Sequence, residues 1–228
     1  MWSKCASLPA SGRTGGGVQF DLRPNTVQDP LSKMSKQSVR DSAKSNALAS
    51  IRKDRRLPHN VFSGEWRDYL FFESYVMFGA GFIEVTHFLL SAEKSSAMAL
   101  INLGDGQTSS SDDARVMFLN EDTRPEDYLS ELKGDGSPLN WMFLMDRYVC
   151  ASDEGSWSMY CKKENDVAAF AIGQSCPVRI YSEIPLLLNA RSIRTISYPS
   201  HAQQGSFDFE KLVPSWKSAL AAEYVPPA

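Results

Sequence analysis

Alternation between apolar and polar positions is most organised over 139–172, which reads as three β-strands folded back on one another. The first strand covers 141–152. A turn at 153–156 contains Gly155, free to take the positive φ that a tight reversal needs. The second strand covers 157–161, and after a polar break at 162–166 the third covers 167–172. Pairing Ser152 with Trp157 puts Tyr148, Cys150 and Ser152 on one face with Trp157, Met159 and Cys161, because side chains alternate at period two. That face predicts core, and Tyr160 falls on the opposite one. The first strand opens apolar on both faces, with Trp141, Phe143 and Met145 on one and Met142 and Leu144 on the other. Such a strand suits the middle of a sheet covered on both sides, with Trp141 buried. Asp146 and Arg147 are expected where this strand leaves the covered region.

Before this meander the pattern is less regular. Residues 1–33 are poor in apolar positions and punctuated by Gly15-Gly16-Gly17 and Arg23-Pro24-Asn25, so they read as disordered, and a start at Met34 would omit them. Residues 34–56 are polar and basic, with a frayed helix around 43–52 that Leu57-Pro58 ends. A domain boundary is therefore expected at residue 56, dividing a disordered basic arm (1–56) from one α+β domain (57–228). Trp66, Tyr69, Leu70, Val76 and Met77 roughly follow helical spacing in a run aromatic enough to be a strand. After Gly79-Ala80-Gly81, residues 82–90 carry Ile83, Val85 and Thr86 and predict a strand, with a helix over 82–94 as the alternative. Further strands are expected at 97–103 and 115–119, around a polar loop at 104–113. Thr123 followed by Glu126 fits a capping box opening a helix that stops at Gly134. Past the meander, 180–188 is apolar and broken by Pro185, and 193–198 reads as a last strand. Phe209, Leu212, Trp216, Leu220 and Tyr224 recur every three to four residues, a closing helix that Pro214 starts or kinks. The fold class is thus α+β: an antiparallel, meander-type sheet with packed helices, preceded by a disordered basic N-terminal arm.

Composition changes this picture mainly through charge. The net charge is −3, yet residues 1–60 hold eleven Lys/Arg against four Asp/Glu, a balance of +7, leaving −10 for the remainder. A basic arm joined to an acidic domain follows. The most lipid-like run, 69–92, contains Glu73 and Glu84, each costing about 2.5–3.5 kcal/mol in mid-membrane, so it predicts a core segment and no membrane span. Cys5, Cys150, Cys161 and Cys176 lack the spacing of a zinc knuckle or redox motif. A hairpin brings Cys150 and Cys161 near each other, but two buried free thiols in a cytoplasmic protein are expected.

No motif specifies a reaction. Glu84-x-x-His87 has the spacing of a helical metal pair but occurs once, without the further carboxylates such sites use. A Cys150 or Cys161 nucleophile would need His87 as base, and packing explains these thiols better. Glu131-Leu132-Lys133 reads as a solvated helix end. Gly104-Asp105-Gly106 lacks the lysine of a phosphate loop. No cofactor and no metal are expected. The acidic pairs remain: Asp112-Asp113, Glu121-Asp122, Glu126-Asp127 and Asp153-Glu154, all in turns or a first helical turn. Exposed acids around an aromatic suit docking of a basic protein, since charge steers encounter and an aromatic anchors it. The expected partner-binding residues are Asp153, Glu154, Trp157, Tyr160, Asp112 and Asp113. The function expected is a non-catalytic, acidic protein-binding module, of the type that neutralises a basic toxin or nuclease as immunity proteins do. The alternatives are an enzyme with dispersed active-site residues, or a nucleic-acid-associated protein using the basic arm through Arg52-Lys53-Asp54-Arg55-Arg56.

Overall fold

Period-two alternation builds the centre of the molecule as expected. The computed structural model describes residues 30–104, 115–134, 147–162, 167–177, 184–187, 190–192 and 214–225, with side chains of the first helix from residue 35. Among these residues the strands are β1 (Asp68–Glu73), β2 (Met98–Asn102), β3 (Val116–Leu119), β4 (Arg147–Ser152), β5 (Trp157–Lys162), β6 (Val167–Ile172) and β7 (Arg191–Ser192). They form one antiparallel sheet in the order β3-β2-β4-β5-β6-β1-β7. The helices are α1 (Pro30–Ala49), α2 (Phe82–Glu93), α3 (Pro125–Lys133) and α4 (Pro214–Glu223). The fold is α+β. No helix among the described residues is long and apolar enough to cross a membrane.

The β4–β5 hairpin has the expected register, with Ala151 opposite Ser158 and Tyr148 opposite Cys161. Tyr148, Cys150, Trp157, Met159 and Cys161 accordingly share the front face, where they pack with α2 and α3. The back face carries Val149, Ala151, Tyr160, Ala169 and Ala171 beneath α1 and α4. With helices on both faces, strands β4, β5 and β6 are buried almost throughout.

Several expectations change. Residues 82–90 are helix, not strand: Phe82, Val85, Thr86, Leu89 and Leu90 recur at helical spacing and are buried against the front face. The β-branched residues yield to that burial, and Thr86 satisfies its hydroxyl by donating to the Phe82 carbonyl at 2.9 Å. The run around Tyr69 resolves as strand β1 followed by a short 3-10 turn, Ser74–Phe78. The capping box does not form, because Pro125 occupies the first turn and Arg124 is the N-cap without a side-chain bond. Thr123 instead receives the Asn120 N–H at 2.9 Å.

The C-terminal part of α1, placed in the basic arm by sequence, packs on the sheet. Ala43 and Ala47 of α1 are fully buried on the back face, and Ile51 bridges to Phe62. Residues 43–56 therefore belong to the folded unit. Arg147, expected at the rim, is 3% exposed. Its Nε donates to the Gly104 carbonyl at 3.1 Å and one terminal nitrogen to the Lys53 carbonyl at 3.2 Å. Trp141 and Asp146, and the strand expected at 193–198, lie outside the described residues. At the closing helix, Pro214 is the first residue of α4, as its missing N–H allows.

Candidate functional site

The acidic turn at the β4–β5 tip is built into the fold. Gly155 sits at φ +69°, and a Cβ there would meet the Asn46 amide nitrogen at 2.8 Å. Asn46 reaches up from α1 and donates to the carbonyls of Ser152 (3.1 Å) and Asp153 (2.8 Å). The Asp153 carboxylate accepts the backbone N–H groups of Ser96 (3.0 Å) and Ala97 (3.1 Å), fastening the turn to the start of β2. Glu93, at the end of α2, accepts the Ser156 N–H and the Trp157 indole N–H, both at 2.9 Å.

Trp157 and Tyr160 are 0% and 1% exposed on opposite faces of the sheet, so neither is available as a surface anchor. The sequence offers Trp157 as the anchor, or Tyr160 where the Trp157 face is core; a strand covered by helices on two sides buries its aromatics whichever way they point. Burial pushes the Tyr160 hydroxyl up to about 12, against the opposing pull of the Arg147 guanidinium. Of the six expected partner-binding residues, Glu154 is exposed, Asp153 is half-buried and engaged, and Asp112 and Asp113 lie outside the described residues.

Further exposed carboxylates follow β3 from this end of the sheet onto α3. Strands β3 and β4 finish, and β2 and β5 begin, at one end of the sheet. Glu121 and Asp122 follow β3 there, and Glu126, Asp127 and Glu131 lie along α3. With Glu154 these are six exposed carboxylates, against exposed Lys94, Arg124 and Lys133. A cavity of about 480 Å³ opens between Ser91, Lys94, Ser95, Ser96 and the Asn120–Asp122 stretch. A second, of about 280 Å³, lies along β3 beneath α3, lined by Met117, Leu119 and Tyr128 with Asp122, Asp127 and Glu131 at its rim. Sequence reading placed Glu131 on a solvated helix end. Its i,i+4 spacing from Asp127 was the available signal that the two share one face.

The opposite charge is equally segregated. Residues 35–56 carry Lys36, Arg40, Lys44, Arg52, Lys53, Arg55 and Arg56 against Asp41 and Asp54. Arg40 lies over the Phe118 ring, 5.3 Å from its centroid.

The remaining candidates are accounted for by packing. Glu84 points to solvent while His87, one turn on, is half-buried with Nε2 shielded from solvent and lacking a hydrogen-bond partner. Among the described residues no group of three or more His, Cys, Asp and Glu could hold a metal ion. Cys150, Cys161 and Cys176 are free, buried thiols, and burial pushes the Cys150 thiol far above its ordinary range, which makes it a poor nucleophile. No protein-family model, curated protein or solved structure matches the chain.

Proposed function

We propose that this protein is a non-catalytic module that binds a basic protein through the acidic end of its sheet, the type of role by which a cytosolic protein neutralises a basic toxin or nuclease. The lining of one cavity by Asp122, Asp127 and Glu131, with Glu121 and Asp122 at a second, carries the reading. The β3–α3 loop and the face of α3 thus share an acidic rim, where complementary charge speeds encounter and suppresses wrong partners. The docking residues move from the aromatic-anchored turn of the sequence reading to the β3–α3 corner, with Glu154 retained. Free buried thiols suit a reducing compartment.

The test is affinity capture from the native cell with the wild type and with the combined variant Asp122→Lys, Asp127→Lys, Glu131→Lys. A basic protein retained by the wild type, released by moderate salt and lost by the variant is the expected result. A basic protein held equally by both would sink the reading. Retention of nucleic acid by both would move the function to the basic surface formed by α1 and residues 50–56, which the segregation of charge favours as a second reading.

A further inference from the structure

The acidic corner coincides with an edge of the sheet, and the hydrogen-bond phase of that edge can be worked out. The Asn102 N–H donates to the Arg115 carbonyl at 2.9 Å, and the register pairs Leu100 with Met117 and Met98 with Leu119. Bonded pairs alternate in an antiparallel ladder. Arg115, Met117 and Leu119 therefore turn their backbone groups towards β2. The bonds from Asp153 N–H to Ala97 carbonyl and from Leu103 N–H to Arg147 carbonyl give β2 the complementary phase on its other side. Val116 and Phe118 are left with N–H and C=O groups directed away from the sheet, and β3 ends the strand order among the described residues. Such an edge is a template for one more strand.

The groove beside it fixes what that strand would carry. Met117 and Leu119 face the front, and the cavity of about 280 Å³ continues from them to Tyr128 beneath α3. A strand added to β3 would send alternate side chains into this groove. At its rim stand Asp122, Asp127 and Glu131, and among the described residues no basic one lines it. Its apolar floor and acidic rim match the methylene stem and cationic head of Lys or Arg. We propose that β3 captures an extended, Lys- or Arg-bearing segment of the partner by strand addition, the backbone of Val116 and Phe118 supplying hydrogen bonds and the three carboxylates selecting alternate cationic side chains. This rests on the reading above that the partner is a basic protein.

The test uses the full chain and a blocked eight-residue peptide alternating Lys and Val, with binding followed by calorimetry at two salt concentrations. In an added strand only one alternate set of peptide amides meets β3. N-methylating that set should weaken binding on the order of tenfold or more, and N-methylating the other set should leave it nearly unchanged. Val116→Pro removes an outward N–H at a position where an edge strand tolerates proline, and should weaken binding comparably at an unchanged melting temperature. Asp127→Lys with Glu131→Lys should abolish binding and its salt dependence. Equal sensitivity to both methylated sets, insensitivity to both, or failure of the peptide to bind would overturn strand addition. If basic-protein capture still depends on the three carboxylates in those cases, the broader reading stands alone. A peptide bound equally by the wild type and the charge-reversed variant would overturn both.

Discussion

The two faces of the sheet solve the same burial problem with different materials. The front face is filled by large side chains: Leu70, Phe72, Tyr148, Trp157, Met159 and Phe170, covered by the apolar stripe of α2. On the back face small residues, Ala99, Ala151, Ser158, Ala169 and Ala171, are interspersed with Ile101, Val149 and Tyr160. There α1 presents Ala43 and Ala47, and the Ser50 and Ser158 hydroxyls lie 2.8 Å apart with Ser158 donating to the Cys150 carbonyl. Small residues on both partners let a helix settle close to a sheet and replace volume with proximity and a few specific hydrogen bonds. Towards β1 the back face turns aromatic, and Tyr224 meets Tyr69 and Phe71 edge-on at centroid distances of 5.2 and 5.1 Å. A bulky face tolerates some repacking, whereas a close-packed small face depends on one element being in place.

The strongest way to break the comparison is to remove that element. A chain beginning at Leu57 lacks Ala43, Ala47, Ile51 and the Asn46 bonds to the hairpin tip. It should lose cooperative unfolding and bind a hydrophobic dye, as an uncovered back face requires. A melting temperature within a few degrees of the full chain would show that α1 contributes little.

Next in size is Trp157→Ala on the front face. It leaves a cavity and removes one of the donors to the Glu93 carboxylate, with an expected loss of about 3–5 kcal/mol in denaturant unfolding. A near-neutral result would mean the front face repacks freely. The reciprocal change on the back face is Ala151→Leu, which drives a larger side chain into the contact with α1 and should cost about 1–3 kcal/mol. On the front face Cys150→Leu, with softer neighbours such as Met159 across the ladder, should cost less. Equal costs for these two would remove the distinction drawn between the faces.

The same contrast explains what could be read from the sequence. The hairpin register followed from matching bulky positions at period two, and it emerged as expected because Tyr148, Cys150, Trp157 and Met159 admit one buried face. Helix α1 was invisible as a packed element because its buried positions are alanines, which carry no apolar stripe and look the same in a solvated helix. Helix α2 was read as a strand because Ile83, Val85 and Thr86 favour strands locally, while the front face supplied a long-range reason for a helix that no local window contains. At the candidate site, the acidic pairs were legible as exposed turns. The shared cavity of Asp122, Asp127 and Glu131 was not, since it depends on α3 folding back along β3. The burial of both Trp157 and Tyr160 escapes the sequence for the same reason: burial on two faces is a property of the helices that cover them.

The smallest expected effect lies at the rim of the back face, where Glu223 fastens the end of α4. Its carboxylate accepts the Asn60 N–H at 3.3 Å, meets His59 Nδ1 at 3.3 Å and lies 3.8 Å from an Arg55 guanidinium nitrogen. The Asn60 N–H chiefly, then His59, holds the carboxyl below its ordinary value of 4.5. A carboxyl depressed in the folded state stabilises that state at pH values above its unfolded pKa. The contribution fades as pH falls through the lower, folded value, since the unfolded chain takes up the proton first. Glu223→Gln keeps an amide oxygen in place but cannot ionise. The wild type should therefore melt slightly above the variant at neutral pH, and the gap should close as pH drops below about 4.5. Both partners are substantially exposed, so added salt should shrink the gap as well. The core contacts of Tyr224 next to it, whose hydroxyl donates to the His59 carbonyl at 2.8 Å, should be indifferent to both variables. A gap that ignores pH would mean Glu223 acts through packing rather than charge, and the rim of the back face would then hold α4 by the same close contact that holds α1.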